Sequence, residues 1–489
     1  MFPIHWKSTC LAVGLLALVA PACGAELLVG TASTDITPGE PVPLCGQFHL
    51  RISQGVETPV TANVLALESR DGGGAVDAAV MVSCDVVYMP TEVLELVRRE
   101  VNKRVPDLDP KKIFVSGTHT HTAPELLLGK WVLPKEGVMS VGRYQVFFAE
   151  RVGEAIAEAW KGRAPGSVAW GLGHAVVAYN RRAVYANGSA RMYGPTNVPE
   201  FRGLEGYEDH DVPVLFAWSA DGKLIGMAVN VSCPSQEVES RRKINADFWH
   251  PVRAALHAKY GEGVCVLGWT GAAGDQSPHL MYREAAEERM RTLRGLTRLE
   301  EIARRVVRAV DDVYEVVKDD RHADVPLVHK VEMIRLPMRL VTEAEYAEAK
   351  GEVEKASAQI EKDPKATDRV FRRMQWYRVT VDRFEAQKTD PSPTLEMELH
   401  VVRIGDAVVC TNQFELFTDF GIRIKARSKA IQTFVVQLVG DGTYLPTERA
   451  VRGGHYSAVV HSNLVGPEGG HVLVDRTVEL IDAMWNESK

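Results

Sequence analysis

Residues 113–124 read Ile-Phe-Val-Ser-Gly-Thr-His-Thr-His-Thr-Ala-Pro, an apolar run that leads into two alternating histidines. Consecutive apolar residues that end at a glycine are typical of a buried strand. Side chains alternate along an extended segment, so we expect His119 and His121 on the same side, just beyond the strand. Loops at strand ends carry the reactive groups of layered α/β proteins, and paired imidazoles can bind a metal or polarise a carbonyl group.

Around this strand, the chain alternates between extended and helical patterns. Apolar runs at 62–67 and 78–82 precede a helical spacing from Thr91 to Val101, which has Glu92 and Glu95 in its early turns. Further strand signals are found at 168–170, 212–218, 225–231, 264–267, 399–402, 407–410 and 433–438. We therefore predict an α/β fold in which mixed β-sheets are layered with helices in a single large domain.

Two charged blocks with helical spacing, 282–317 and 342–387, interrupt the strand signals. We interpret the block at about 342–387 as a charged helical insertion. Its simplest form is a solvated hairpin, and the alternative is a lid that covers a pocket. A last helix is predicted from about Leu473.

The composition excludes several classes of protein. With 489 residues, 45% hydrophobic and 25% charged, the chain can bury a large core. Its net charge of −7 gives no basic surface of the kind that binds phosphate backbones, so nucleic acid is not an expected partner.

The N-terminus has the pattern of a signal peptide. Lys7 precedes an apolar run at 11–20, and small residues follow to Ala25, where we predict cleavage and hence a secreted or periplasmic protein. A membrane anchor and lipidation of Cys23 are the alternatives, although the run is shorter than the ~20 residues of a spanning helix. No later segment is apolar enough to predict a transmembrane helix in the mature chain.

Five cysteines remain after the leader, and their odd number and scattered positions do not suggest a disulfide framework. They are Cys45, Cys84, Cys233, Cys265 and Cys410. A role in metal binding is therefore open for one of them.

Residues 117–124 resemble the Gly-Thr-His-Thr-His-Ser-Gly-Pro signature of neutral, non-lysosomal ceramidases. Other segments resemble that family in the same order along the chain. They are Asp35–Pro38, Asn180–Arg182, Gly274–His279, Phe414–Thr418 and Tyr444–Thr447. The resemblance covers residues 26–489 and implies the family's catalytic domain, without the immunoglobulin-like domain that usually follows it. It also implies a zinc-dependent hydrolase that cleaves an amide bond, the N-acyl bond of ceramide-like sphingolipids.

By the same resemblance, His119, Glu415 and Tyr444 would bind the zinc ion. The family's remaining ligand is a histidine, and the spacing places Cys233 at its position. A thiolate is a good zinc ligand, so we expect Cys233 to be the fourth. The alternatives are that Cys233 is a buried structural thiol and that His250, or no residue, replaces the family's histidine.

The resemblance also implies the residues that act on the substrate. Ser277 would be either the nucleophile or a group that positions the amide. His121 would face the scissile carbonyl group, Arg181 would contact the polar head or the developing oxyanion, and Tyr456 would donate a hydrogen bond to that oxygen.

Two other functions are compatible with these residues. A relative of the family could act on another amide, on an ester or on a carbohydrate-derived substrate. A catalytically inert binding protein stabilised by its metal is the second alternative, favoured by a thiolate ligand and disfavoured by Ser277, His121 and Tyr456. The expected partner is a small-molecule or lipid substrate, with room for peripheral contact with membrane lipid.

Overall fold

The computed structural model describes residues 26–72, 74–363 and 367–486, so the predicted signal peptide lies outside the described residues. The strands are β1 Glu26–Asp35, β2 Thr61–Asp71, β3 Gly74–Cys84, β4 Ile113–Gly117, β5 Ala164–His174, β6 Tyr179–Asn180, β7 Arg182–Tyr185, β8 Ala190–Met192, β9 Phe201–Leu204, β10 Asp211–Ser219, β11 Leu224–Val231, β12 Cys265–Thr270, β13 Gln276–Ser277, β14 Leu327–Pro337, β15 Thr394–Ile404, β16 Ala407–Thr411, β17 Glu415–Leu416, β18 Gln432–Val436 and β19 Tyr444–Leu445. The helices are α1 Thr91–Arg104, α2 Val141–Lys161, α3 Trp249–Tyr260, α4 Glu284–Leu293, α5 Arg298–Val317, α6 Glu343–Lys362, α7 Thr367–Gln387, α8 Thr418–Arg427, α9 Glu448–Gly453 and α10 Pro467–Asn486.

Two sheets packed face to face form the centre of the molecule. The larger has the order β12-β11-β10-β5-β1-β2-β3-β4, and the smaller has the order β14-β15-β16-β18. Apolar side chains of both sheets form one core cluster between them. Strand β2 shows why its apolar run is continuous: Val64 and Ala66 face the helices, whereas Leu65 and Leu67 face the second sheet.

Helices cover the outer face of each sheet. Helices α1 and α2 pack on one half of the large sheet, and α3 and α5 pack on the other half. Helices α8 and α10 cover the small sheet. The result is a helix-sheet-sheet-helix arrangement, which confirms the predicted class of mixed sheets layered with helices in a single large domain. None of the helices in the described part of the chain combines the length and apolar character needed to cross a bilayer.

Parallel pairing brings the ends of distant strands to one place. Strand β4 runs parallel to β3, so the His-x-His segment leaves the sheet beside the end of β3. Strands β17 and β19 are also parallel and pair Glu415 with Tyr444. In a third pair, the antiparallel β13 and β6, Ser277 lies opposite Tyr179, two residues before Arg181. These three junctions carry the candidate site.

Candidate active site

His119 is held in a fixed orientation by the backbone at the end of β4. Its φ of 66° lies in the left-handed region, which residues other than glycine rarely adopt. Its backbone N–H donates to the oxygen of Val86 at 2.9 Å, and its Nδ1 lies 3.0 Å from the oxygen of Val87. A carbonyl oxygen only accepts, so Nδ1 donates to it and Nε2 is the ring nitrogen left for another partner.

This Nε2 points toward a carboxylate. His119 Nε2 lies 3.4 Å from Glu415 Oε2, and the Tyr444 hydroxyl is within hydrogen-bonding reach of the same carboxylate. Two electron-rich atoms this close need a cation between them, which is either a proton or a metal ion. The parallel β17–β19 pair therefore places two of the four predicted donors, Glu415 and Tyr444, side by side.

The geometry of these donors fits a zinc ion. Two ligands bound to tetrahedral zinc at about 2.0–2.1 Å lie roughly 3.4 Å apart, which matches the separation of His119 Nε2 and Glu415 Oε2. Anchoring of the other ring nitrogen by a carbonyl group is common in zinc-binding histidines. No three histidine, cysteine or carboxylate side chains among the described residues are arranged to hold a metal ion. A third protein ligand beside His119 and Glu415 would therefore be the phenol of Tyr444. Three protein ligands and one open position are typical of catalytic zinc.

The structure does not bring Cys233 to this cluster, and the prediction that it is the fourth ligand is corrected. Its side chain is 1% exposed, within the apolar core under α3 and α5. Its sulfur lies 3.6 Å from the oxygen of Val177 and 3.7 Å from that of Pro234. Burial raises the pKa of the thiol well above its ordinary value. Cys233 is thus a structural thiol, and His250 does not replace it, because it is exposed at the start of α3.

His121 lies beside His119, with 4.8 Å between the ring centroids. Its Nδ1 donates to Glu239 Oε2 at 2.9 Å, which leaves Nε2 as an acceptor. Burial lowers the pKa of His121 to about 4, so the ring is neutral near pH 7. The ring packs against Gly46, where a Cβ would lie only 2.4 Å from His121 Cγ. The glycine therefore provides the space in which the imidazole lies.

Arg181 contacts the candidate metal donors, whereas its neighbour has a structural role. Its Nη2 lies 3.4 Å from the Tyr444 hydroxyl and 3.8 Å from Glu415 Oε2, and it donates to the oxygen of Gly274 at 2.9 Å. Arg182 instead pairs with Glu205, at 2.6 Å between Nε and Oε2. The alternation of an extended segment thus directs only Arg181 to the cluster.

Ser277 is fully buried and lies among hydrogen-bond donors. Tyr193 donates its hydroxyl proton to Ser277 Oγ at 3.0 Å, the backbone N–H of His279 donates at 3.1 Å, and Gln236 Nε2 lies 3.3 Å away. A nucleophilic serine needs a base within hydrogen-bond reach, and these contacts are all donors. Of the two roles open for Ser277, the geometry favours that of a positioning residue.

A cavity of about 560 Å³ opens above His119, His121 and Glu415. Tyr456 lies in its wall, where burial raises the pKa of its phenol to about 12, so the hydroxyl keeps its proton. The Tyr456 ring is 5.4 Å from the Tyr444 ring and 5.6 Å from the Phe48 ring. The cavity is therefore aromatic on the side that leads outward from the candidate metal donors.

Helix α7 forms the opposite part of this wall. Trp376 lies edge-on to the Phe48 ring at 5.7 Å and 6.2 Å from the Tyr456 ring, both measured between centroids. The insertion is therefore not a merely solvated hairpin, because one of its helices encloses the cavity.

Sequence reasoning missed three residues of the site: Glu239, which holds His121, and Tyr193 and Gln236, which hold Ser277. They lie in loops without periodicity, and their partners are 118, 84 and 41 positions away. One signal was available for two of them, since Gln236 and Glu239 follow the Cys-Pro-Ser turn in the segment examined for a missing ligand.

Solved structures provide the comparison for this arrangement. A scan against protein-family models gave no match, and no curated protein sequence matches the chain. The neutral ceramidase of Pseudomonas aeruginosa superposes with a TM-score of 0.66 at 16% identity, covering 94% of this chain and 75% of that one. A ceramidase complexed with C2 gives a TM-score of 0.66 at 14% identity, covering 95% of this chain and 76% of that one. This chain therefore has the fold of the neutral ceramidases, as its motifs predicted.

Proposed function

We propose that the protein is a zinc-dependent hydrolase that cleaves the N-acyl bond of ceramide-like lipids. The observation that carries the proposal is the convergence of His119, Glu415 and Tyr444 at the base of an aromatic cavity. The ceramidase fold supports an amide substrate, although a fold alone does not determine function. When bound by these three residues, zinc would supply Lewis acidity toward water and the scissile carbonyl group.

The other side chains of the site have distinct tasks in this reaction. Tyr456 keeps its proton and can donate a hydrogen bond to the carbonyl oxygen as negative charge develops there. His121 is neutral, and Glu239 fixes its Nδ1–H, so Nε2 is the group that accepts a proton. Arg181 adds a fixed positive charge beside Glu415 and Tyr444. Ser277 orients Tyr193, which in turn accepts a hydrogen bond from Arg181 at 3.1 Å.

The cavity suits a lipid with a long apolar chain. Its volume of about 560 Å³ lies in the range of pockets that enclose whole small ligands. Phe48, Trp376 and Val379 line it toward the solvent, and Leu127 and Leu128 lie at its rim. Apolar groups at these positions can cover an acyl chain while its amide reaches the base of the cavity.

The experiment combines metal analysis with hydrolysis of short-chain and long-chain ceramides. We expect about one zinc ion per chain and release of fatty acid, with both lost in His119→Ala and in Glu415→Gln. Glu396→Gln, on an exposed part of β15, is the matched control and should behave like the wild-type protein. Zinc binding without turnover of any amide or ester would refute the proposal and indicate an inert binding protein. Turnover of carbohydrate-derived substrates alone would refute the lipid substrate.

A further inference from the structure

One face of α7 lines the cavity at a regular helical spacing. Gln375, Trp376 and Val379 follow Arg372 by three, four and seven positions, so all four side chains share one side of the helix. The helix is fastened on this side, because Thr380 Oγ1 lies 2.7 Å from His461 Nδ1 and Arg383 donates to the backbone oxygens of 460 and 463. The cavity wall therefore has a fixed position relative to the site.

Arg372 is the cation on this face. Its guanidinium carbon lies 5.9 Å from the centroid of Phe48, and its side chain is half-buried. Within the described ranges, no carboxylate lies within ion-pair distance of Arg372. The next residue behaves differently, since Arg373 points away from the cavity and pairs with Glu352 of α6. A half-buried guanidinium in the wall of a cavity, with no carboxylate of the described chain beside it, has its hydrogen-bond donors available to a group from outside the chain.

Of the other charged groups that line the cavity, Arg378 is exposed to solvent, and two have hydrogen-bond partners in the chain. Lys130 is paired with Glu125 at 2.7 Å, and Asp441 accepts hydrogen bonds from the backbone and the hydroxyl of Thr91. Glu415 is at the base of the cavity beside His119. Away from Glu415, the lining therefore has two arginines that form no ion pair among the described residues, Arg372 and Arg378, against the one carboxylate of Asp441, whose hydrogen bonds from Thr91 leave its charge in place.

We propose that the substrate carries an anionic group, a carboxylate, phosphate or sulfate, which Arg372 binds while the amide lies at Tyr456. The inference rests on the proposed function and narrows its substrate class from neutral ceramides to charged acyl amides. The guanidinium carbon of Arg372 lies 5.9 Å from the centroid of the Phe48 ring, and that centroid lies 5.6 Å from the centroid of the Tyr456 ring. The anionic group is therefore separated from the scissile bond by a short chain. A guanidinium binds such groups through two parallel hydrogen bonds.

The test uses matched pairs of soluble short-chain amides that differ only in a terminal carboxylate or carboxamide. The terminal group is placed on the acyl side or on the amine side, with spacers of about four to ten methylene groups. We expect kcat/KM to be about tenfold to a hundredfold higher for the carboxylates at one spacer length. Arg372→Gln should remove this preference, mainly through KM, because the contact is remote from the reacting atoms. Arg373→Gln should keep it.

Two results would overturn the inference while hydrolysis itself remains intact: equal rates for both members of each pair, or an unchanged preference in Arg372→Gln. If the zinc-loaded protein hydrolyses no amide, the proposed function fails separately. Calorimetric titration with the same pairs then tests whether Arg372 binds the anionic group. The carboxylate member of a pair should bind more tightly than the carboxamide, and this difference should be lost in Arg372→Gln but kept in Arg373→Gln. Thermal unfolding of both variants verifies that they are folded.

Discussion

Replacement of Cys233 by alanine tests whether its thiol is a zinc ligand or a structural group of the core. The structure places the thiol among apolar side chains and backbone oxygens, where its removal costs stability and nothing else. Loss of a group the size of one methylene costs about 0.8 kcal/mol of transfer free energy. A residual cavity of about 25 Å³ adds roughly 0.6 kcal/mol at ~24 cal/mol per Å³. We therefore expect Cys233→Ala to lower the free energy of unfolding by about 1.4 kcal/mol.

The assay compares urea unfolding, bound zinc and amide hydrolysis in three variants. Cys265→Ala is the matched control, because that thiol is also buried and bonds a backbone oxygen, that of Ala32, at 3.3 Å. Both cysteine variants should lose similar stability and retain zinc and turnover. His119→Ala should lose zinc with a smaller change in core packing. If Cys233→Ala loses zinc while Cys265→Ala keeps it at equal stability, the thiolate is a ligand and the reasoning from the core contacts is wrong.

Three further predictions concern the surroundings of the site. Gly46→Ala places a Cβ 2.4 Å from His121 Cγ at a φ of 97°, so kcat should fall at least about tenfold in steady-state kinetics while the chain still folds. Glu239→Gln leaves His121 Nδ1–H without its charged acceptor, and kcat should fall about tenfold to a hundredfold with little change in KM; an unchanged kcat would contradict the pairing. Burial raises the pKa of Glu237 to about 7 despite Arg298 at 3.6 Å, so the native state holds this proton more tightly than the unfolded state. Stability should therefore fall from pH ~4.5 to pH ~7 by up to roughly 3 kcal/mol, and Glu237→Gln should flatten that part of the urea unfolding profile, whereas an unaltered profile would refute the shift.

The sequence predicted the fold best where apolar runs are buried on both faces. Helix α1 and strand β4 lie where the pattern placed them. Strand β14 was missed, because Lys330, Glu332 and Arg335 interrupt the apolar run of this partly solvated edge strand. Helix α10 begins at Pro467 rather than near Leu473. Gly469 and Gly470 concealed its first turn, where there is no room for larger side chains: a Cβ at 470 would lie 2.4 Å from Phe420.

Motifs predicted which residues form the site but not which way a loop residue points. Spacing along the segment after β11 predicts Cys233 as the fourth zinc ligand. In the structure, the turn directs Cys233 into the core, whereas Ser235 N–H bonds the oxygen of Thr118 and Glu239 bonds His121. The segment does reach the site, but it contributes a carboxylate that orients an imidazole. A count of positions along the chain contains no information on this direction.

The position of Cys233 also changes the expected chemistry. A thiolate ligand would add negative charge to the zinc ion and weaken it as a Lewis acid, which favoured an inert binding protein. With the thiol in the core, the candidate donors are His119, Glu415 and Tyr444, without a sulfur ligand. A cation held by these residues would have one anionic ligand fewer than with the thiolate, and so would retain more of its charge for the substrate oxygen. The argument for an inert protein therefore loses its basis, and the same cluster supports hydrolysis.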